Sequence, residues 1–133
     1  MRFRCRIISR GKAEGEVIVS RRLFSFLGDV DISTGLVVAE DSDIKGESIA
    51  KKVFVFPSGR GSTVGTYSLL RMKKIGTAPL AIINKETEVI IAVGAIIAGI
   101  PLVDKVEGDF YSCVRNGSRV IVDADSGYVE LIE

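Results

Sequence analysis

Between the apolar run Val53–Phe56 and an amphipathic segment lies PSGRGSTVGT, Pro57 to Thr66, which gathers the residue types best suited to anion chemistry. Ser58, Ser62 and Thr63 bring hydroxyls and Arg60 a fixed positive charge, while Gly59 and Gly61 let backbone amides approach a ligand closely. Ser62 or Thr63 can cap a following helix, whose first-turn N–H groups then face the loop and favour a carboxylate or a phosphate. The plain alternative is a strand-to-helix connection with no ligand, since small polar residues are common at such junctions. A nucleotide P-loop fits worse: Gly65 is followed by Thr66, where that motif needs a lysine and then a hydroxyl residue.

Composition narrows the chemistry further. The chain has 133 residues, 47% of them hydrophobic, which predicts one domain over residues 1–133 with a real core. Histidine is absent, so the commonest general base, the commonest metal ligand and phosphohistidine chemistry are all excluded. Cys5 and Cys113 are the only cysteines and lack CxxC spacing, which predicts two buried thiols and no metal or cluster ligand set within this chain. A net charge of +1 gives no electrostatic footprint for nucleic acid or an acidic membrane surface, so neither is expected as a partner. The N-terminus MRFRCRIISRG has no long apolar core of the signal-peptide kind, and the most apolar run, Val89 to Val103, is shorter than the roughly 20 residues of a membrane span. A cytoplasmic protein is the expectation. Asp41 and Asp43 lack the spaced oxygen ligands and closing glutamate of a calcium loop.

The elements that must position the loop are legible in outline. Alternation of Arg2, Arg4 and Arg6 with Phe3, Cys5 and Ile7 predicts a strand with one wet face. Gly15–Ser20 reads as a second strand, and Leu36–Glu40 as a third after a turn containing Asp29, Asp31, Ser33, Thr34 and Gly35. Leu23, Phe24, Phe26 and Leu27 are expected to cover an edge of the core. Val53–Phe56 has the unbroken apolar pattern of a strand buried on both faces. The spacing then predicts a helix from about Ser62 to Ile75, stopped by Gly76, with Val64, Tyr67 and Leu70 on its apolar face and Leu69, Met72 and Ile75 broadening it. Pro79–Asn84 follows as a strand. A second helix is predicted from about Thr87, with two glutamates in its first turn and small residues for close packing, ending at Gly99. Pro101–Val103 is read as a buried strand, and SRVIVDADSGYVELIE as a closing hairpin. Together these predict an α/β domain with a mixed, partly parallel sheet, flanking helices and a C-terminal hairpin. A ligand in such a fold sits outside the carboxyl end of a strand, where Ser58–Thr63 falls.

With DISTGLV, VFVFPSGRGST, APLAIIN and GAIIAGIPLVD in view, the chain resembles, over nearly its whole length, the small subunit of the two-chain aconitase X family. The resemblance implies a swivelling β/β/α domain that closes over an active site built mainly by a separate large subunit, the two forming a heterodimer. It implies an iron–sulfur cluster, expected to be 4Fe–4S, held by that large subunit and not by this chain. It implies that Ser62 is the proton acceptor and that Ser58, Gly59, Arg60, Gly61 and Thr63 contact a phosphorylated hydroxy-acid substrate. The motif departs at Thr63-Val64, where many members carry further serines. More narrowly, the chain is similar to archaeal members that dehydrate (R)-5-phosphomevalonate to trans-anhydromevalonate 5-phosphate in a mevalonate route to isoprenoids. Members acting on cis-3-hydroxyproline are the alternative within the family, and a non-catalytic anion-binding module is the alternative outside it. An unassisted serine is a poor base, so the implied role needs an alkoxide stabilised by backbone N–H groups and a nearby cation.

Overall fold

The computed structural model describes residues 1–60 and 64–132. In chain order the elements are β1 (Arg2–Arg4), β2 (Arg6–Ser9), β3 (Lys12–Val19), β4 (Val53–Phe56), α1 (Val64–Ile75), β5 (Ala81–Asn84), α2 (Val89–Ala98), β6 (Leu102–Asp104), α3 (Phe110–Cys113), β7 (Arg119–Asp123) and β8 (Tyr128–Ile132). The strands lie in the order β1-β8-β7-β3-β4-β5-β6-β2. β3 through β6 are parallel neighbours, whereas β1, β8, β7 and β3 pair antiparallel, as does β2 with β6.

β3 joins the two halves. Its first residues, Lys12–Glu16, pair with β7 and alternate in exposure, and its last, Val17–Val19, pair with β4 and are buried throughout. The single strand expected over Arg2–Ile7 is instead two: only Cys5 separates β1 from β2, yet they occupy opposite ends of the strand order. One stretch of chain therefore covers the outer edge of β8 with β1 and that of β6 with β2, and the sheet curls to bring its two ends together at Cys5. Its arginines are exposed while Phe3 is buried, as the alternation requires.

Two apolar cores follow from this geometry. Alternate residues of the parallel strands, Val53, Val55, Ala81, Ile83 and Val103, point inward and meet Phe3, Val120, Val122 and Val129 from the antiparallel half. The opposite faces, Phe54, Phe56, Ile82 and Leu102, meet Leu69 and Met72 of α1 and Ile91, Ala95 and Ala98 of α2. Double-sided burial of β4 is what its unbroken apolar run predicts. On its helical side Phe24 and Phe26 pack edge-on against Phe54, with ring centroids 4.8 and 6.5 Å away. Leu23 and Leu27, expected beside them, are exposed.

Several local readings change. Leu36–Glu40 forms isolated bridges, Leu36 with Ser48 and Val37 with Val30, rather than a strand, because its neighbours are turns of its own excursion and offer no long partner. β3 starts earlier than Gly15, at Lys12, and β5 starts at Ala81, two residues after Pro79. The short α3 was not expected from a segment lacking apolar periodicity. Cys113, at its end, is exposed, and Cys5 is half-buried, so the two thiols are not both in the core.

The helices differ most in which face they bury. α1 buries Gly65, Ser68, Leu69 and Met72 and leaves Val64, Tyr67 and Ile75 exposed, so only part of the expected apolar face is inside, and Leu69 and the small Gly65 lie against α2. The fit is close: a methyl group added at Gly94 would lie 3.3 Å from Leu69 Cδ2 and 3.4 Å from Thr66 Cα. α1 ends as expected, with Gly76 at φ 88° and its N–H donating to Met72 O at 2.9 Å. α2 carries no glutamate in its first turn; Glu88 is its N-cap, accepting from the N–H groups of Ile90 at 3.0 Å and Ile91 at 2.8 Å. Gly99, at φ 71°, closes it.

Candidate functional site

The loop leaves the carboxyl end of β4, as expected for a ligand site in a sheet of this kind. Ser58, Gly59 and Arg60 lie within the described residues; Gly61, Ser62 and Thr63 lie outside them, as does the start predicted for the first helix.

The described part is held from three sides. Pro57 O accepts from the N–H groups of Lys85 at 2.9 Å and Glu86 at 3.2 Å, just past β5. Asn84, buried at the end of β5, donates from Nδ2 to Phe56 O at 3.1 Å. Phe24 brackets the loop as a short parallel bridge, its N–H donating to Ser58 O and its O accepting from Arg60 N–H, both at 3.1 Å. With Phe24 anchored in the core, Ser58–Arg60 is a pinned edge rather than a loose crossing.

Gly59 has a steric reason that sequence alone did not disclose. A methyl group there would lie 2.5 Å from Ile91 Cγ1, 2.7 Å from Glu88 Oε1 and 2.9 Å from Glu88 Cγ. The glycine lets the loop press against the start of α2, and Glu88 occupies N–H groups there that an external anion would otherwise use.

Arg60 is exposed, and its charge has a fixed partner. Nη2 donates to Asp29 Oδ1 at 2.6 Å, and Asp41 Oδ2 lies 3.7 Å from Nη1. The bond to Asp29, and then its charge, raise the guanidinium pKa above its ordinary value. Asp29 is itself nearly buried, and its Oδ2 accepts from Ser25 N–H at 2.8 Å. Read from sequence, Asp29 is a turn residue; the fold makes it the anchor of Arg60. The signal that could have found it is an acidic residue beside two core phenylalanines, a place where a carboxylate needs a partner. Asp43, near in sequence to Asp41, accepts from Ser20 Oγ at 2.6 Å and Arg21 N–H at 2.7 Å, which explains it without calcium.

A second acidic group supports the same end of the sheet. Asp104, at the end of β6, accepts from Arg6 through both oxygens at 2.8 Å and from Thr87 N–H at 2.8 Å. Burial would raise its pKa, but these bonds and the Arg6 charge outweigh burial and hold it below the usual carboxylate range. Burial, then the charges of Asp104, Asp123 and Glu107, push the Cys5 thiol up to about 11, so it is a packing group rather than a nucleophile.

A curled mixed sheet with a helical layer on one side and a hydroxyl-bearing loop at the end of a parallel strand is the architecture of a swivelling domain. The model of the aconitase X swivel domain matches residues 2–131, and the chain belongs to that family. It is 58% identical to the phosphomevalonate dehydratase small subunit of Archaeoglobus fulgidus, over all of both chains. It is 54% identical to the protein of the same name from Methanosarcina mazei, over all of this chain and 92% of that one. The crystal structure of Thermococcus kodakaraensis aconitase X in its holo form superimposes with a TM-score of 0.94 at 54% identity, covering 100% of this chain and 99% of that chain.

Proposed function

We propose that this chain is the small subunit of a two-chain hydro-lyase that dehydrates (R)-5-phosphomevalonate to trans-anhydromevalonate 5-phosphate in the cytoplasm. The observation that carries the reading is end-to-end similarity, at 58% identity, to a phosphomevalonate dehydratase small subunit. The relatives reported above favour this reaction over dehydration of hydroxyproline.

In this reading Ser62 accepts the proton at C2, next to the substrate carboxylate, and the C3 hydroxyl departs on the side of the large subunit. Arg60 is the cation beside the loop, either steadying the alkoxide or engaging the substrate carboxylate or phosphate, while Asp29 fixes the guanidinium so that little side-chain freedom is lost on binding. Ser58, Gly59, Gly61 and Thr63 complete the contact loop. Among the described residues no three acidic or thiol groups come together to hold a metal ion, and two cysteines fall short of the thiolates a cluster needs. The residues of this chain do not fit an iron–sulfur cluster, and we assign any cluster to the large subunit.

The test is single-turnover dehydration by the assembled pair. Ser62→Ala is expected to slow it by roughly a hundred- to ten-thousand-fold, the range of a general base, with assembly and melting temperature close to wild type. Near-normal turnover in a well-assembled Ser62→Ala pair would refute the serine role, and a wild-type pair that turns over hydroxyproline but not phosphomevalonate would refute the substrate.

A further inference from the structure

The ten residues of α2, VIIAVGAIIA, include no polar side chain. A helix on the surface of a finished protein has a polar face, and one that is apolar all round is covered on all sides. In this chain only half of α2 is covered. Ile91, Gly94, Ala95 and Ala98 are buried, while Val89, Val93, Ile96 and Ile97 are 66%, 40%, 57% and 56% exposed. Those four positions form one stripe at helical spacing. Tyr67 of α1, 71% exposed, extends it, and Thr66, Tyr67, Ile90, Val93 and Ile97 line a shallow groove between the helices. Scattered exposed apolar residues are ordinary; a contiguous stripe on an uncharged helix marks an interaction surface.

We propose that this outward face of α2, with Tyr67, is the seat of the large subunit, an inference that rests on the two-chain reading above. The place of the stripe singles out that occupant. Its first residue, Val89, follows Glu88, whose carboxylate lies against Gly59 of the candidate loop. A chain that completes the site must cover Ser58–Arg60, and α2, whose Glu88 cap and Ile91 lie against Gly59, carries a long apolar stripe that continues from there. A second copy of this chain fits worse, because a two-fold contact uses the same patch on both partners. It would set two loop mouths side by side and exclude the chain that completes them.

The test measures binding of the full-length small subunit to the separately purified large subunit on a biosensor, with melting of each small-subunit variant as a folding check. Val93→Glu and Ile97→Glu are each expected to weaken association by at least about 30-fold, as for a central interface residue, with unchanged melting. Leu80→Glu, an exposed apolar position at the opposite end of the sheet, is expected to leave association unchanged. Hydroxyl-radical labelling of Tyr67 in the wild-type chain, which needs no variant to fold, is expected to fall on assembly. Wild-type affinity in both α2 variants, or equal labelling of Tyr67 free and assembled, would overturn the proposal and leave the two-chain reading standing. Self-association lost in the α2 variants, with large-subunit affinity kept, would overturn it in favour of a second copy. Failure of the wild-type chains to bind each other would remove the two-chain reading, and this surface assignment with it.

Discussion

Gly59→Ala isolates the close approach between the loop and α2. Gly59 is not among the residues with positive φ, so its backbone accepts alanine, and the substitution alone would stabilise by about 0.4–1 kcal/mol through the unfolded chain. Against that, the new methyl group meets Ile91 Cγ1 at 2.5 Å and the Glu88 side chain at 2.7 and 2.9 Å. Glu88 can swing aside, but only by releasing the amides of Ile90 and Ile91, a capping loss of about 0.5–2 kcal/mol. Ile91 is 4% exposed within the helical-side core, and displacing it is overpacking, about 1–3 kcal/mol. The net expectation is a loss of about 2 kcal/mol, or a fall in Tm on the order of 6–10 °C for a domain of this size. Urea unfolding and thermal melting of the isolated chain measure it. Ile91→Ala removes the obstructing atom, so the two substitutions together should be less harmful than their sum by about 1 kcal/mol or more. A Gly59→Ala chain as stable as wild type, or strict additivity with Ile91→Ala, would refute the steric explanation of this glycine.

Asp29→Asn removes the charge that holds Arg60 while keeping most of the shape, so KM for the anionic substrate should rise more than kcat falls; Arg60→Lys should recover only part of the Arg60→Ala loss, because the planar fork is missing, and steady-state kinetics of the pair read both. Asp104 has a folded pKa below its unfolded value near 3.9, so its contribution to stability is present above that pH and is lost as pH falls through the folded pKa; Arg6→Ala should be less stable than wild type at pH 7, and the gap in unfolding free energy should narrow as pH falls from 7 to 2, because the variant has lost the partner that holds the folded pKa down. Tyr111→Phe deletes a hydroxyl that accepts from Val106 N–H at 3.1 Å and donates to Asn84 O, and should cost about 1–3 kcal/mol by urea unfolding. In a Cys113→Ser background the remaining thiol, Cys5, should resist iodoacetamide at pH 8 in the folded chain and react on unfolding.

Much of this protein is written in local sequence. Val53–Phe56 announces a strand covered on both faces because four consecutive apolar strand formers leave no wet side. Gly76 and Gly99 mark helix ends because their left-handed backbone suits glycine. The closing hairpin is legible from two alternating runs around DADSG, and β7 and β8 pair there. The candidate loop, with its serines and Arg60, also shows in sequence, since residue types and their order along the chain are all that such a signal needs. What local sequence did not contain is every relation between distant segments. Cys5 divides one alternating run between two sheet edges, a choice made by closure of the sheet and not by propensity. On α1 Leu69 and Met72 are buried as the spacing predicts, but Gly65 and Ser68, weak in any hydrophobic pattern, are buried too while Val64 and Tyr67 stay outside, because the covered side is set by packing against distant elements. Asp29 became the partner of Arg60 across 31 residues of chain, and Gly59 became obligatory only once Ile91 and Glu88 were folded against it. Periodicity and turn chemistry act within a few residues and so survive in the linear chain, whereas charge pairing and steric fit depend on distances that exist only after the sheet has closed.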